Sequence, residues 1–177
     1  KMLRDLLFEV VRTRHSAVYS PGANVRAFMA NYGSITIFKT SKAAAMKSYI
    51  DEALAPLPEG KCLSSAHAGG GEGDALPLES VETALPVYVE QYINEVYEAQ
   101  QTNASIAAQI EQSLLHEGDP RAWLRTIDEF RSVKAADVVR VVKAALVEGP
   151  VTWGILGDQA ALAGVRAEDY AFVPGGR

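Results

Sequence analysis

The chain is poor in the residues that build thiol and metal chemistry. Cys62 is the only cysteine among 177 residues. One thiol excludes an internal disulfide framework and a cysteine-based zinc site. A cysteine nucleophile would need a base beside Cys62, and the nearest in sequence is His67, in a loop. Histidine occurs as His15, His67 and His116 alone. His-x-x-Glu-His, which sets two imidazoles and a water-activating carboxylate on one helix, is absent. His67 stands near Glu72 and Asp74 in a glycine-rich stretch, a pattern that suits a solvated loop better than a ligand set. No metal ligand is assigned. Positive charge is short as well: the net charge is -5 and the pI is near 5.2. Phosphate backbones need clustered cations, so nucleic acid is not expected as a partner. No apolar run approaches the roughly 20 residues of a membrane span, and none is expected.

Phosphate-loop and serine-elbow chemistry are missing too. The glycine-rich stretch around Gly69 and Gly73 runs on into Asp74, Ala75, Leu76 and Pro77. A phosphate loop needs Gly-Lys-Ser/Thr at that place. No serine sits in Gly-x-Ser-x-Gly.

What is present is a core. Apolar residues make up 48% of the chain, enough for one domain or most of one. Leu3, Leu6, Leu7, Val10 and Val11 follow helical spacing, which predicts a helix to about Arg14. Residues 17–30 read as extended, with Ala23, Val25, Ala27 and Met29 alternating with Asn24, Arg26 and Phe28. Asn31, Tyr32 and Gly33 signal a turn, and Ile35 and Ile37 share one face of the next strand. Together these predict an antiparallel hairpin. Ser41 is the expected N-cap of a helix carrying Met46, Tyr49, Ile50, Ala53 and Leu54, which stops before Pro56. Residues 58–78 are expected to form a mobile, glycine-rich loop.

The second half predicts helices. Val89, Ile93, Val96 and Tyr97 share a face over residues 86–101, with Glu90, Glu95 and Glu98 on the solvated side. Asn103 is the expected cap of a helix that turns Ile106, Ile110 and Leu114 inward. Asp119 as N-cap and Pro120 at the first helical position open another, with Trp123, Ile127 and Phe130 in the core. Val138, Val142, Ala145 and Leu146 mark one more. Residues 151–156 read as a final buried strand. The order predicts an α+β fold, helices packed on a largely antiparallel sheet, as a single partial domain over residues 1–177.

One pair carries the functional reading. Arg12 and Tyr19 lie seven residues apart, at the end of the first helix and just beyond it. A guanidinium offers five rigid donors and a phenol one. Held together they can grip a peptide carbonyl or the oxyanion formed when it is attacked. The plainer reading is a surface arginine and a half-buried tyrosine.

The run Val11-Arg12-Thr13-Arg14-His15-Ser16-Ala17-Val18-Tyr19-Ser20 resembles a stretch of the C-terminal domain of pitrilysin/insulinase-type zinc metallopeptidases, the mitochondrial processing peptidases among them. That family has an apolar helix ending Leu-Arg-Glu-Lys, then Gly-Leu-Ala-Tyr-Ser. The arginine-to-tyrosine interval is the same. Thr13 replaces the usual acid, Ser16 the usual glycine, and Ala17-Val18 the usual Leu-Ala. The likeness extends to about Leu57 and resumes from about Glu90 to Gly157, where residues 127–138 resemble the last helix pair.

The resemblance implies a substrate-binding domain with Arg12 and Tyr19 as its catalytic residues, facing a zinc-bearing domain or subunit elsewhere. It implies no cofactor in this chain, a peptide substrate, and inactivity of this chain alone. It implies further that a preceding strand and helix are missing here and, for a bacterial source, a periplasmic or cell-envelope location. Relatives with the same fold that have lost activity imply an alternative, a structural or assembly subunit.

Overall fold

The computed structural model describes residues 1–26, 32–66 and 75–170. The apolar period at the start of the chain forms α1, Met2–Leu7, which continues as a wider π-wound segment, Phe8–Arg14. Leu6, Leu7, Val10 and Val11 are wholly buried. Burying side chains of this size contributes about 1.5–3 kcal/mol each. The helix stops at Ser16, whose φ is +46°. Around it, Ser16 N donates to Arg12 O and Ala17 N to Val11 O, both at 2.9 Å. Such nested bonds around a left-handed residue close the helix as a glycine stop does.

β1, Gly22–Arg26, and β2, Tyr32–Thr36, form the expected antiparallel hairpin. Its register corrects the expected turn. Tyr32 pairs with Arg26 and Gly33 with Val25, so both belong to the strand. Asn31, Ala27 and Met29 lie outside the described residues. Ala23, Ile35 and Ile37 pack inward, whereas Val25 is exposed. Next comes a 3-10 turn, Ala43–Ala45, leading into α2, Met46–Leu54. Ser41 is not its cap; Thr40 Oγ1 accepts from Lys42 N at 3.0 Å instead. The inward face is the expected one, with Met46, Ile50 and Ala53 buried.

The expected loop over 58–78 contains a second hairpin. A 3-10 turn, Leu57–Glu59, leads through Gly60 at φ +75° into β3, Lys61–Leu63. β3 pairs antiparallel with β4, Leu78–Ser80. Glycine-rich neighbours mask these short strands in the sequence, but burial of Cys62 and Leu63 holds them. Residues 67–74, His67 included, lie outside the described residues.

α3 runs Val81–Ala99 and starts before Pro86 because Ser80 accepts from Thr83 N at 3.1 Å and caps it. Pro86 sits inside the helix. α4, Asn103–Glu117, is capped by Thr102 rather than Asn103. Ile110 and Leu114, expected inward, are exposed; that face has no cover among the described residues. Asp119 is not the cap and Pro120 is not the first helical residue: the 3-10 turn Ala122–Arg125 starts after Arg121 with no side-chain cap, and α5, Thr126–Ser132, follows it. The Asp119 carboxylate instead accepts from Arg121 N at 2.9 Å, closing the turn ahead of the helix. Trp123 and Phe130 are half-buried rather than core, and Phe130 stacks on Tyr92 at 3.8 Å. α6, Ala135–Val142, continues as a π-wound turn, Lys143–Val147. Residues 151–156 do not form the expected buried strand. None of the described strands pairs with them, and Val151, Ile155 and Leu156 are exposed. Only Trp153 turns inward, edge-on to Tyr170. Asp158 then caps α7, Gln159–Leu162.

The fold is therefore α+β, with two separate two-stranded antiparallel ribbons among the described residues. Each ribbon has its own apolar cluster. Leu7, Val10, Val11, Val18, Met46 and Ile50 belong to the first. Leu6, Leu57, Cys62, Leu63, Val81 and Ala84 form the second. Adjacent residues of one helix thus reach into both. Leu6→Ala and Leu7→Ala should each lower the unfolding free energy by about 2–5 kcal/mol in urea titrations, while Leu156→Ala, at a fully exposed position, should stay within about 0.5 kcal/mol of the parent.

Candidate functional site

The π-wound end of the first helix brings the sequence-predicted pair together. Arg12 Cζ lies 4.8 Å from the ring centroid of Tyr19 and 4.5 Å from that of Phe8. Both distances are within cation–π range. Phe8 was not in the sequence reading, yet its signal was available: it stands four residues before Arg12, the spacing at which helical side chains meet.

Tyr19 reaches Arg12 for a local reason. Ser16 turns the chain out of the helix in the left-handed region. Ala17 and Val18 are then pulled into the core, and Tyr19 emerges beside the helix end. Its side chain is 82% exposed, so it is an open surface tyrosine, not the half-buried strand residue of the plainer reading. The ring rests against Arg12 while the rest of the side chain meets solvent.

A second network fixes this corner to α2. Arg14 Nη1 donates to Glu52 Oε1 at 2.6 Å, and His15 Nε2 meets Glu52 Oε2 at 2.7 Å. The His15 ring stacks on Tyr49 at 3.8 Å, nearly parallel, and Lys42 Nζ donates to His15 O at 2.5 Å. Burial pushes the Glu52 carboxyl up, but the bonds from His15 and Arg14 outweigh it and hold the group below its ordinary value. Arg14 and His15, two and three positions beyond Arg12, therefore serve as struts. Glu52 and Tyr49 were invisible as partners in the sequence, because the contact spans two helices.

The other candidates separate from this site. Cys62 is wholly buried, and burial, then Glu79 and Asp5, pushes its thiol up to about 11. It stays protonated at neutral pH and is no nucleophile. His67 lies outside the described residues. His116 Nε2 is bonded to Gln112 Oε1 along α4 at 3.0 Å. Among the described residues no three His, Cys, Asp or Glu side chains gather where they could hold a metal ion. Glu90, Glu95 and Glu98 lie on the solvated side of α3, as expected.

Two outcomes follow from this geometry. At Ser16, a left-handed non-glycine residue costs roughly 1–2 kcal/mol. Ser16→Gly should leave thermal stability unchanged or raise it, and Ser16→Val should lower it, in paired melting curves. Glu52 has a lowered folded pKa, so its contribution is full above the ordinary value of 4.5 and is lost as pH falls through the folded one. Acidification below about pH 4.5 should therefore depress the melting temperature of the parent more than that of Glu52→Gln. No protein-family model, curated protein or solved structure matches this chain.

Proposed function

We propose that this chain is the substrate-gripping, zinc-free domain of a pitrilysin-type metallopeptidase, acting opposite a zinc-bearing domain or subunit. The observation that carries the reading is the pairing of Arg12 with Tyr19, with the phenol ring lying open to solvent on a braced corner. Packing against two rings fixes the guanidinium without neutralising it. A peptide carbonyl arriving at this corner meets the Tyr19 hydroxyl as donor and Arg12 as a nearby cation, and both interactions strengthen as the carbonyl becomes an oxyanion. Ser16 in the left-handed region supports the likeness to a family that carries glycine there. Zinc in the opposing domain would supply the polarised water, and by the family resemblance this chain alone is expected to be inactive. The reading implies helices packed on a largely antiparallel sheet, the metallopeptidase-domain architecture.

A second reading, an inactive structural or assembly subunit, draws on the same contact. Arg12 stacked on Phe8 and Tyr19 is also a packing unit that holds the helix end without any substrate.

Tyr19→Phe separates the two, because it keeps the ring over Arg12 and removes only the hydroxyl. In the assembled peptidase, loss of one oxyanion donor should lower kcat by about a hundred- to a thousandfold, with the melting temperature unchanged. Unaltered turnover with Tyr19→Phe, or a matching loss of stability, would assign the tyrosine to packing.

A further inference from the structure

Next to the Arg12–Tyr19 pair the surface opens into a cavity of about 440 Å³ lined by Arg4, Asp5, Phe8, Ser20 and Pro21. That size lies within the range of small-ligand pockets, about 300–1,000 Å³. Two of its residues join it to the candidate site. Phe8 is the ring beneath Arg12, and Ser20 follows Tyr19 directly in the chain. A peptide whose backbone is held at Tyr19 would therefore have a neighbouring side chain within reach of this cavity, since successive residues of an extended chain lie about 3.3 Å apart.

The lining is chemically uneven. Phe8 and Pro21 provide apolar wall, while Arg4 and Ser20 provide donors. Asp5 also lines the cavity and keeps its negative charge there; one of its oxygens accepts from the Tyr88 hydroxyl at 2.9 Å. Its contact with Arg4 is a loose one, 3.9 Å from Arg4 Nε, and the Arg4 side chain remains 57% exposed. A guanidinium so weakly paired keeps most of its rigid donor fork for an incoming carboxylate. Arg12, stacked on the Phe8 ring at 4.5 Å, adds a second positive charge nearby.

We propose that this cavity is a specificity subsite that takes an acidic side chain of the bound peptide, with the apolar stem against Phe8 and Pro21 and the carboxylate on Arg4. The inference rests on the peptide-gripping reading of Arg12 and Tyr19 and adds a substrate preference to it. Arg4 would act as a binding residue and take no part in bond breaking.

The test uses the whole chain and fluorescein-labelled unstructured peptides that are identical except for Glu, Gln or Lys at one scanned position. Binding is read by fluorescence anisotropy at low and high salt. At one position the Glu peptide should bind about two- to fivefold more tightly than the Lys peptide, the size expected of a partly exposed charge pair, and the difference should shrink with added salt. Arg4→Glu should reverse the order, and Arg4→Gln should level it. Both are changes at an exposed side chain, with folding checked by circular dichroism. Tyr19→Phe should weaken all three peptides alike. If Tyr19→Phe weakens binding while Arg4→Glu leaves the Glu-to-Lys ratio untouched, the subsite is wrong and the gripping pair stands. If no peptide binds, or binding ignores both Arg12→Ala and Tyr19→Phe, the gripping reading fails and the subsite with it.

Discussion

Burial of one short helix organises this chain. Leu6 and Leu7 are adjacent, yet they point into different apolar clusters, so the helix is the seam between the two ribbons. Val10 and Val11 extend the buried face into the π-wound end. The hydrophobic contribution of these four side chains, at about 1.5–3 kcal/mol each, is comparable with the whole net stability of a small domain. Displacement of this helix would therefore separate the hairpins from each other and take the Arg12 corner with them.

The functional corner inherits its geometry from that burial. The left-handed Ser16 ends the helix and directs Ala17 and Val18 back into the core. Tyr19 is the first side chain past that anchor to face solvent. Glu52 then braces the same corner from α2 through Arg14 and His15. Three polar residues at this helix end thus divide their labour. Arg12 faces Tyr19, while Arg14 and His15 face the second helix. Pre-set geometry of this kind is what a donor pair needs if it is to favour a developing charge over a neutral carbonyl.

Periodic burial was readable from the sequence, and isolated chemistry was not. The first helix, the inward face of Met46, Ile50 and Ala53, and the hairpin of Gly22 and Thr36 all follow patterns of spacing. Caps were displaced where two capping side chains stand side by side, as with the Thr102 hydroxyl beside the Asn103 amide. The strand Lys61–Leu63 was hidden because three residues carry almost no periodic signal. Residues 151–156 failed in the opposite sense: their apolar run reads as a strand, but a strand needs a neighbour for its ladder, and none of the described strands supplies one. At the site, the Arg12–Tyr19 interval was legible, and so in principle was Phe8. The Glu52 brace was not, because it joins residues 37 and 38 positions apart.

In the proposed function Arg12 and Tyr19 form one peptide-contacting unit. The most direct measurement is a titration of the isotopically labelled chain with an unstructured peptide, followed by NMR of the Arg12 Nε–Hε group and the Phe8 and Tyr19 ring protons. These signals should shift together, along one saturation curve, while those of the buried second cluster stay in place. Shifts confined to other surfaces, with the Arg12 and Tyr19 signals unmoved at saturation, would contradict it.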